Sequence, residues 1–314
     1  MANSGSAYCD FAIRPKDLQA RIFRDFAQSV GYKGEDSSSL LKWYQAQETE
    51  IFTETENFKR PASGFLSFVP NLDGDFFPKP LDELRKDAPK LDAIATVGEY
   101  EGLGFLMHVP KDQSFADTAA SFFGSDLVND TEGTKKKLVD FYLKNVDVSD
   151  QDAVRKRIVE FVGDAWFNIG ALDTVRSCAK YGNNAYLASF DYYCKDAEMN
   201  PMEASFPFRA ATHGSELRFI VGEGFGKFNP VEEELKVMDM MGTMVANFAK
   251  YGNPNGRDGP QLWEKYSLDH PDRYFKIDYP KSEMRDNFQN GRMKVLDEIN
   301  KDGKKYQEIV YGKQ

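Results

Sequence analysis

The sequence predicts an α/β fold in one domain, with a mostly parallel central sheet and long helical excursions, on three observations. A buried apolar run, Ala93 to Val97, leads into a Gly-bracketed turn. The stretch from Asp112 to Lys180 keeps helical periodicity nearly throughout and contains no strand, as a chain crossing one face of a sheet would. Two further β-rich runs, AYLASFDYYC after Asn184 and RYFKIDY over Arg273 to Tyr279, are separated by strongly helical sequence. Three or four strands are few for 314 residues, so part of the sheet is expected to be absent and the Ala93 to Val97 strand to present an unpaired edge.

In chain order, the first dozen residues read as irregular. Pro15 then precedes a helix in which Leu18, Ile22, Phe23, Phe26 and Val30 share a face and Gly31 supplies the stop. Serines suited to capping introduce a second helix, roughly Ser39 to Asn57. Gly64 to Pro80 reads as a reversal around a tight Asn71 to Gly74 turn, and a short helix spans Leu81 to Asp87. The long helical excursion has expected caps at Asp112, Thr131 and Ser149, and ends at Gly182-Asn183-Asn184. A loop through Pro201 and Pro207 delivers the chain to His213. Pro230 opens a strong helix with acids in its first turn, a stripe of Leu235, Met238, Met241, Val245 and Phe248, and a Gly252-Asn253-Pro254 stop. After the last strand a terminal helix is expected over Ser282 to Lys301, followed from Asp302 by a polar, frayed tail.

A net charge of -10 and the lack of any dense basic run beyond Lys135, Lys136 and Lys137 argue against a nucleic acid or an anionic membrane surface as partner. No apolar stretch approaches a bilayer span, and MANSGSAYCD has none of the regions of a secretory signal. Three cysteines, Cys9, Cys178 and Cys194, lack metal-ligand spacing. Cys178 and Cys194 are either a bridge from a helix to the following strand in an oxidising compartment or free thiols. Asn129-Asp130-Thr131 matches the short N-glycosylation pattern, which is common by chance.

Chemistry concentrates in ATHGSELRFIVG, Ala211 to Gly222. One of only three histidines, His213, stands there in a Gly-flanked turn with Glu216 three residues on. Histidine is the side chain whose ordinary pKa suits a proton shuttle near neutrality, although a His-x-x-Glu spacing is equally a helix start or a packing feature. Glu99 and Glu101 sit just past the carboxyl end of the Ala93 to Val97 strand, where open α/β sheets place ligands and chemistry. In a Ser-His-acid hydrolase a carboxylate orients the histidine, and on α/β-hydrolase sheets the chain order is nucleophile, acid, histidine. The last two fit Glu101 and His213. No Gly-x-Ser-x-Gly elbow occurs anywhere in the sequence, and Ser4-Gly5-Ser6 lacks the flanking glycines.

Several motifs in order carry a specific resemblance: SGSAYC from Ser4, FVPNLDGDFFP over Phe68 to Pro78, the Gly-x-x-Glu-Gly turn from Gly98 to Gly102, VGD at Val162 to Asp164, KYGNNAYLASFDYY, ATHGSELRFIVG, and FAKYGNPN over Phe248 to Asn255. Together they resemble the C-terminal part of a type-B carboxylesterase, the cholinesterase-like family within the α/β hydrolases. The likeness covers about residues 4 to 300, so residues 1 to 314 are expected to form one partial domain of that type. The resemblance implies Glu101 as triad acid and His213 as triad base, Glu216 as a buried second acid beside the histidine, and Ser4 as the hydroxyl that helps orient the site. Glu101 is preferred to Glu99 because Gly102 follows it. Asp73 and Asp75 match a turn of the family and are expected to be structural. The cysteines of secreted members, expected between Tyr32 and Lys42 and near Ile169, are replaced, so their disulfides do not carry over.

The nucleophile elbow and the glycine-rich oxyanion loop belong to the family's N-terminal half, and the motifs of this chain match the family only C-terminal to both. The expectation is therefore a carboxylic-ester hydrolase present as a fragment, inactive alone, acting on a small-molecule ester when complete and needing no cofactor or metal. The alternative is a non-catalytic cholinesterase-like binding or adhesion module, or a pseudoenzyme. Family members are often secreted or lumenal, and the compartment stays open here.

Overall fold

In the computed structural model, which describes residues 1–9, 11–52, 66, 68–194, 206–222, 228–304 and 306–312, five strands form one sheet. They are β1 (Ala2–Asn3), β2 (Ala93–Gly98), β3 (Ala185–Phe190), β4 (Tyr274–Ile277) and β5 (Glu283–Arg285), adjacent in that order. β1 to β4 run parallel, and β5 closes the far side antiparallel to β4. The sheet is thus mixed and mostly parallel, with long helical connections, as in the α/β-hydrolase fold.

Side chains alternate along β2 and β3 between two cores, the period-2 geometry of a strand covered on both faces. After α1 (Lys16–Ser29), α2 (Ser37–Gln45) and α3 (Leu81–Asp87), the chain builds the larger core, which Ala95, Val97, Ala185 and Leu187 face, with α4 (Phe115–Phe122), α5 (Thr131–Tyr142), α6 (Gln151–Gly163) and α7 (Ile169–Lys180). Ile94, Tyr186, Ala188 and Phe190 face the second, formed with α8 (Leu217–Val221), α9 (Glu232–Tyr251) and Trp263. Leu81–Asp87 is helical as expected, although Ser114, Asp130 and Asp150 replace the expected caps Asp112, Thr131 and Ser149 by accepting backbone N–H bonds.

Several expectations are corrected. The N-terminus is not wholly irregular: Ala2 and Asn3 pair with Ala95 and Thr96, so the β2 edge is covered over two residues. Asp36, not a serine, caps the second helix through Ser39 N–H, and that helix ends at Gln45; the expected continuation over 53–57 lies outside the described residues, as do Gly64, Phe65, Ser67 and Pro201 of the two loops. On α9 the buried line runs through Glu234, Val237 and Met241, while Leu235 is 51 % exposed. Met238, Met241 and Phe248 of the expected stripe pack on the second core, and Glu234 also turns inward as part of the helix cap, accepting the Val231 N–H at 3.1 Å. The terminal helix starts at Met293, since Glu283–Arg285 is drawn into the sheet by pairing with β4. The tail is packed rather than frayed: Tyr306, Ile309 and Val310 are buried against Tyr8, Ile13 and Leu81. Those apolar residues recur at a spacing that one helical turn places on one face.

Candidate functional site

The site lies at the carboxyl ends of β2 and β3. β2 ends at Gly98, and a Cβ there would stand 2.8 Å from Thr212 O, so only glycine lets the two loops touch. The contact continues as a stitched seam. Tyr100 N–H donates to Ala211 O at 2.9 Å, and Gly104 N–H to Thr212 Oγ1 at 3.1 Å. Gly214, with φ of 75°, turns the chain immediately after the histidine, and Ser215 Oγ accepts the Thr212 N–H at 2.8 Å. The acid-bearing turn and the histidine-bearing turn are thereby held by main-chain bonds, not by side chains alone.

Glu101 is fully buried. Its Oε2 is 2.8 Å from His213 Nδ1, and its Oε1 accepts from Ser4 Oγ and from Gly98 N–H, each at 2.5 Å. Ser4 reaches it from the end of β1 with a φ of 50°, anchored by its own N–H on Thr96 O at 2.8 Å. A buried carboxylate with three partners is electrostatically satisfied and directionally fixed. Burial works to lower the His213 imidazole, but the hydrogen bond and charge of Glu101, with Glu216 behind, outweigh it and hold the imidazole above its ordinary value. No partner of His213 Nε2 occurs among the described residues.

Glu216 is 1 % exposed, and neither carboxyl oxygen finds a hydrogen-bond partner among the described residues. Burial first, then the neighbouring Glu101 charge, push it up to about 7. Glu99 makes no bond to His213; its main chain binds Phe190 O at 3.0 Å, and burial with the Asp191 charge pushes its carboxyl up to about 7. The structure thus brings together Glu101, His213 and Ser4, sets Glu216 nearby, and leaves Glu99 aside. Asp73 receives N–H bonds from Asp75 and Phe77 at 3.0 Å, a turn-building role.

Sequence reasoning missed the aromatic surroundings. Phe167 lies against the His213 ring with centroids 4.5 Å apart, and Phe105 meets it edge-on at 5.2 Å. Both belong to apolar runs that read as core, so no spacing distinguishes them. Cys9, Cys178 and Cys194 are thiols rather than disulfides, and no cluster of three potential metal-ligating side chains occurs among the described residues. No helix among them is long and apolar enough to cross a membrane.

The sequence model of the Carboxylesterase family matches residues 1–296. Esterase cest-33 of Caenorhabditis elegans is 46 % identical, aligned over 99 % of this chain and 57 % of its own length. The medium-chain fatty acyl-CoA hydrolase precursor of Anas platyrhynchos is 28 % identical over 85 % of this chain and 47 % of its own, and the cholinesterase of Mus musculus 25 % identical over 84 % and 45 %. The chain spans about half the length of these curated relatives. A family match over nearly the whole sequence and a relative at 46 % identity assign the protein: it belongs to the carboxylesterase family.

Proposed function

We propose that these residues form the acid and base half of a serine carboxylesterase, with His213 as general base and then acid and Glu101 as the carboxylate that orients it. The observation that carries this reading is the 2.8 Å contact between His213 Nδ1 and a fully buried, otherwise satisfied Glu101. With Nδ1 engaged, Nε2 is left to take the proton from an attacking hydroxyl, and Glu101 stabilises the imidazolium that results. Ser4 keeps Glu101 in place through Oε1, and Glu216 adds a second buried acid whose charge also favours the imidazolium. The substrate would be a small-molecule carboxylic ester: the serine adds to its carbonyl, the alcohol leaves with the proton carried by His213, and water repeats the cycle on the acyl-enzyme.

Because no Gly-x-Ser-x-Gly elbow occurs in the sequence, the nucleophile and oxyanion donors have to come from outside these 314 residues, and the chain alone is expected to be inactive. A fluorophosphonate probe should leave the purified chain unlabelled; covalent labelling would contradict that part. Joined after the N-terminal portion of the 46 % identical esterase, the chain should support ester hydrolysis that His213→Gln lowers by at least about 10³-fold, the scale of losing a triad member. A chimera equally active with and without His213 would sink the assignment.

A further inference from the structure

The single hydrogen bond from His213 to Glu101 does not fix the imidazole. It fixes one atom, about which the ring can still swivel, and 32 % of the histidine side chain is exposed. A general base has to present Nε2 in one direction, so something must set the plane of the ring. The flat face lying against it is Phe167, 4.5 Å between centroids and inclined by 31°.

Phe167 occupies an unusual backbone position. Between α6 and α7 the helix widens into a π-turn, Asp164–Asn168, closed by the Ile169 N–H donating to Asp164 O. Such an inserted residue changes which side chains face a given side of a helix, and these turns often occur at functional sites. Here the turn is held from behind. Asp164 is buried and receives Arg292 Nε at 2.5 Å, Arg292 Nη2 at 3.2 Å, Tyr142 Oη at 2.8 Å and Asn168 Nδ2 at 2.7 Å. From that anchored turn Trp166 packs on Phe105 and Phe122, while Phe167 packs on Phe11, Phe105 and His213. Phe105 stands edge-on to the imidazole, so the ring is bounded by two aromatic side chains of different orientation.

We propose that Phe167, presented by the π-turn, is a positioning residue for His213, setting the ring plane in which Nδ1 meets Glu101 and Nε2 faces outward. The inference rests on the catalytic reading of His213 for its importance, not for its measurement. The readout is solvent exchange of the His213 Nδ1–H, followed by NMR on chain labelled with ¹⁵N-histidine and assigned by the signal lost in His213→Gln. Phe167→Leu keeps apolar bulk without the flat face and should speed exchange about fivefold, the scale of one aromatic contact. Phe167→Tyr, which retains the face, should stay within about twofold of the parent.

Phe11→Leu is the control, because the Phe11 ring packs on Phe167 with centroids 5.5 Å apart and makes no ring contact with His213. If Phe167→Leu melts like the parent, keeps the His108 and His270 signals and exchanges at the parental rate, the proposal is overturned. Equal acceleration in Phe11→Leu overturns it too, since that would be general loosening. Should the leucine variant fail to fold, Phe167→Met decides by the same criteria. No acyl transfer enters the measurement, so a negative result here leaves the roles of Glu101 and His213 standing, and an inactive chimera leaves this result standing.

Discussion

Gly102 and Gly163 meet backbone to backbone: a Cβ on Gly102 would stand 2.7 Å from Gly163 N, and a Cβ on Gly163 would stand 2.9 Å from Gly102 N. α6 is thereby pressed directly onto the turn that carries Glu101. The contact explains why a helix end and a loop, 61 positions apart, share glycine. Gly102→Ala would also place its methyl 2.2 Å from Val159 O, a main-chain atom that cannot swing aside. It should lower stability by at least about 2 kcal/mol, read as a fall in urea midpoint at unchanged m-value.

Ser4→Ala removes one of two donors from Glu101 Oε1 and leaves the Gly98 N–H as its remaining partner there. The buried carboxylate loses a charge-assisted bond, with an expected cost of about 1–3 kcal/mol in chemical denaturation. Ser4→Thr retains the hydroxyl and isolates the steric demand of the positive φ at this position. A Ser4→Ala protein as stable as the parent would show that the Gly98 N–H alone satisfies Glu101 Oε1.

Glu216 makes stability fall with pH. Between its ordinary value of 4.5 and about 7 the folded chain keeps a proton on this carboxyl that the unfolded chain has released, so raising pH across that window destabilises the fold. His213 acts in the same direction: its protonated form is favoured in the folded state, and that contribution is complete below 6.5 and lost as pH rises through the higher folded value. Glu216→Gln removes the first contribution and weakens the second, because the Glu216 charge is one of the groups that raise His213. Thermal melts from pH 4.5 to 8 should therefore decline less steeply in Glu216→Gln than in the parent, and identical slopes would contradict an orphaned, buried carboxyl.

The Asp164–Arg292 pair calls for a double-mutant cycle. Arg292→Met strands a fully buried carboxylate that still faces Tyr142 and Asn168, and should cost about 3–5 kcal/mol. Combining it with Asp164→Leu removes the stranded charge, so the double variant should be more stable than Arg292→Met alone. Additive losses would mean that the two groups are not coupled.

Much of this protein is legible in one dimension. The Ala93–Val97 strand, the Ala185–Phe190 strand, the Leu81–Asp87 helix and the long excursion before Gly182 follow from hydrophobic period and breakers, because a local pattern has one comfortable backbone. Gly102, directly after Glu101, singled that carboxyl out over Glu99, and the ordered motifs tied His213 to Ser4 across most of the chain. The structure brings those three side chains into one hydrogen-bonded group.

What the tertiary structure alone decided is whatever depends on partners distant in sequence. Ala2–Asn3 and Glu283–Arg285 are too short to declare themselves as strands and become strands only by pairing with β2 and β4. The tail packs because Tyr306, Ile309 and Val310 find Tyr8, Ile13 and Leu81, far away along the chain. The outward face of Leu235, the missing partner of Glu216 and the ring of Phe167 against His213 have no local signature either. Sequence by itself determined which residues are chemically able to move a proton; packing decided how their planes and charges meet, since a side chain's orientation and solvation belong to its neighbours and not to its own position in the chain.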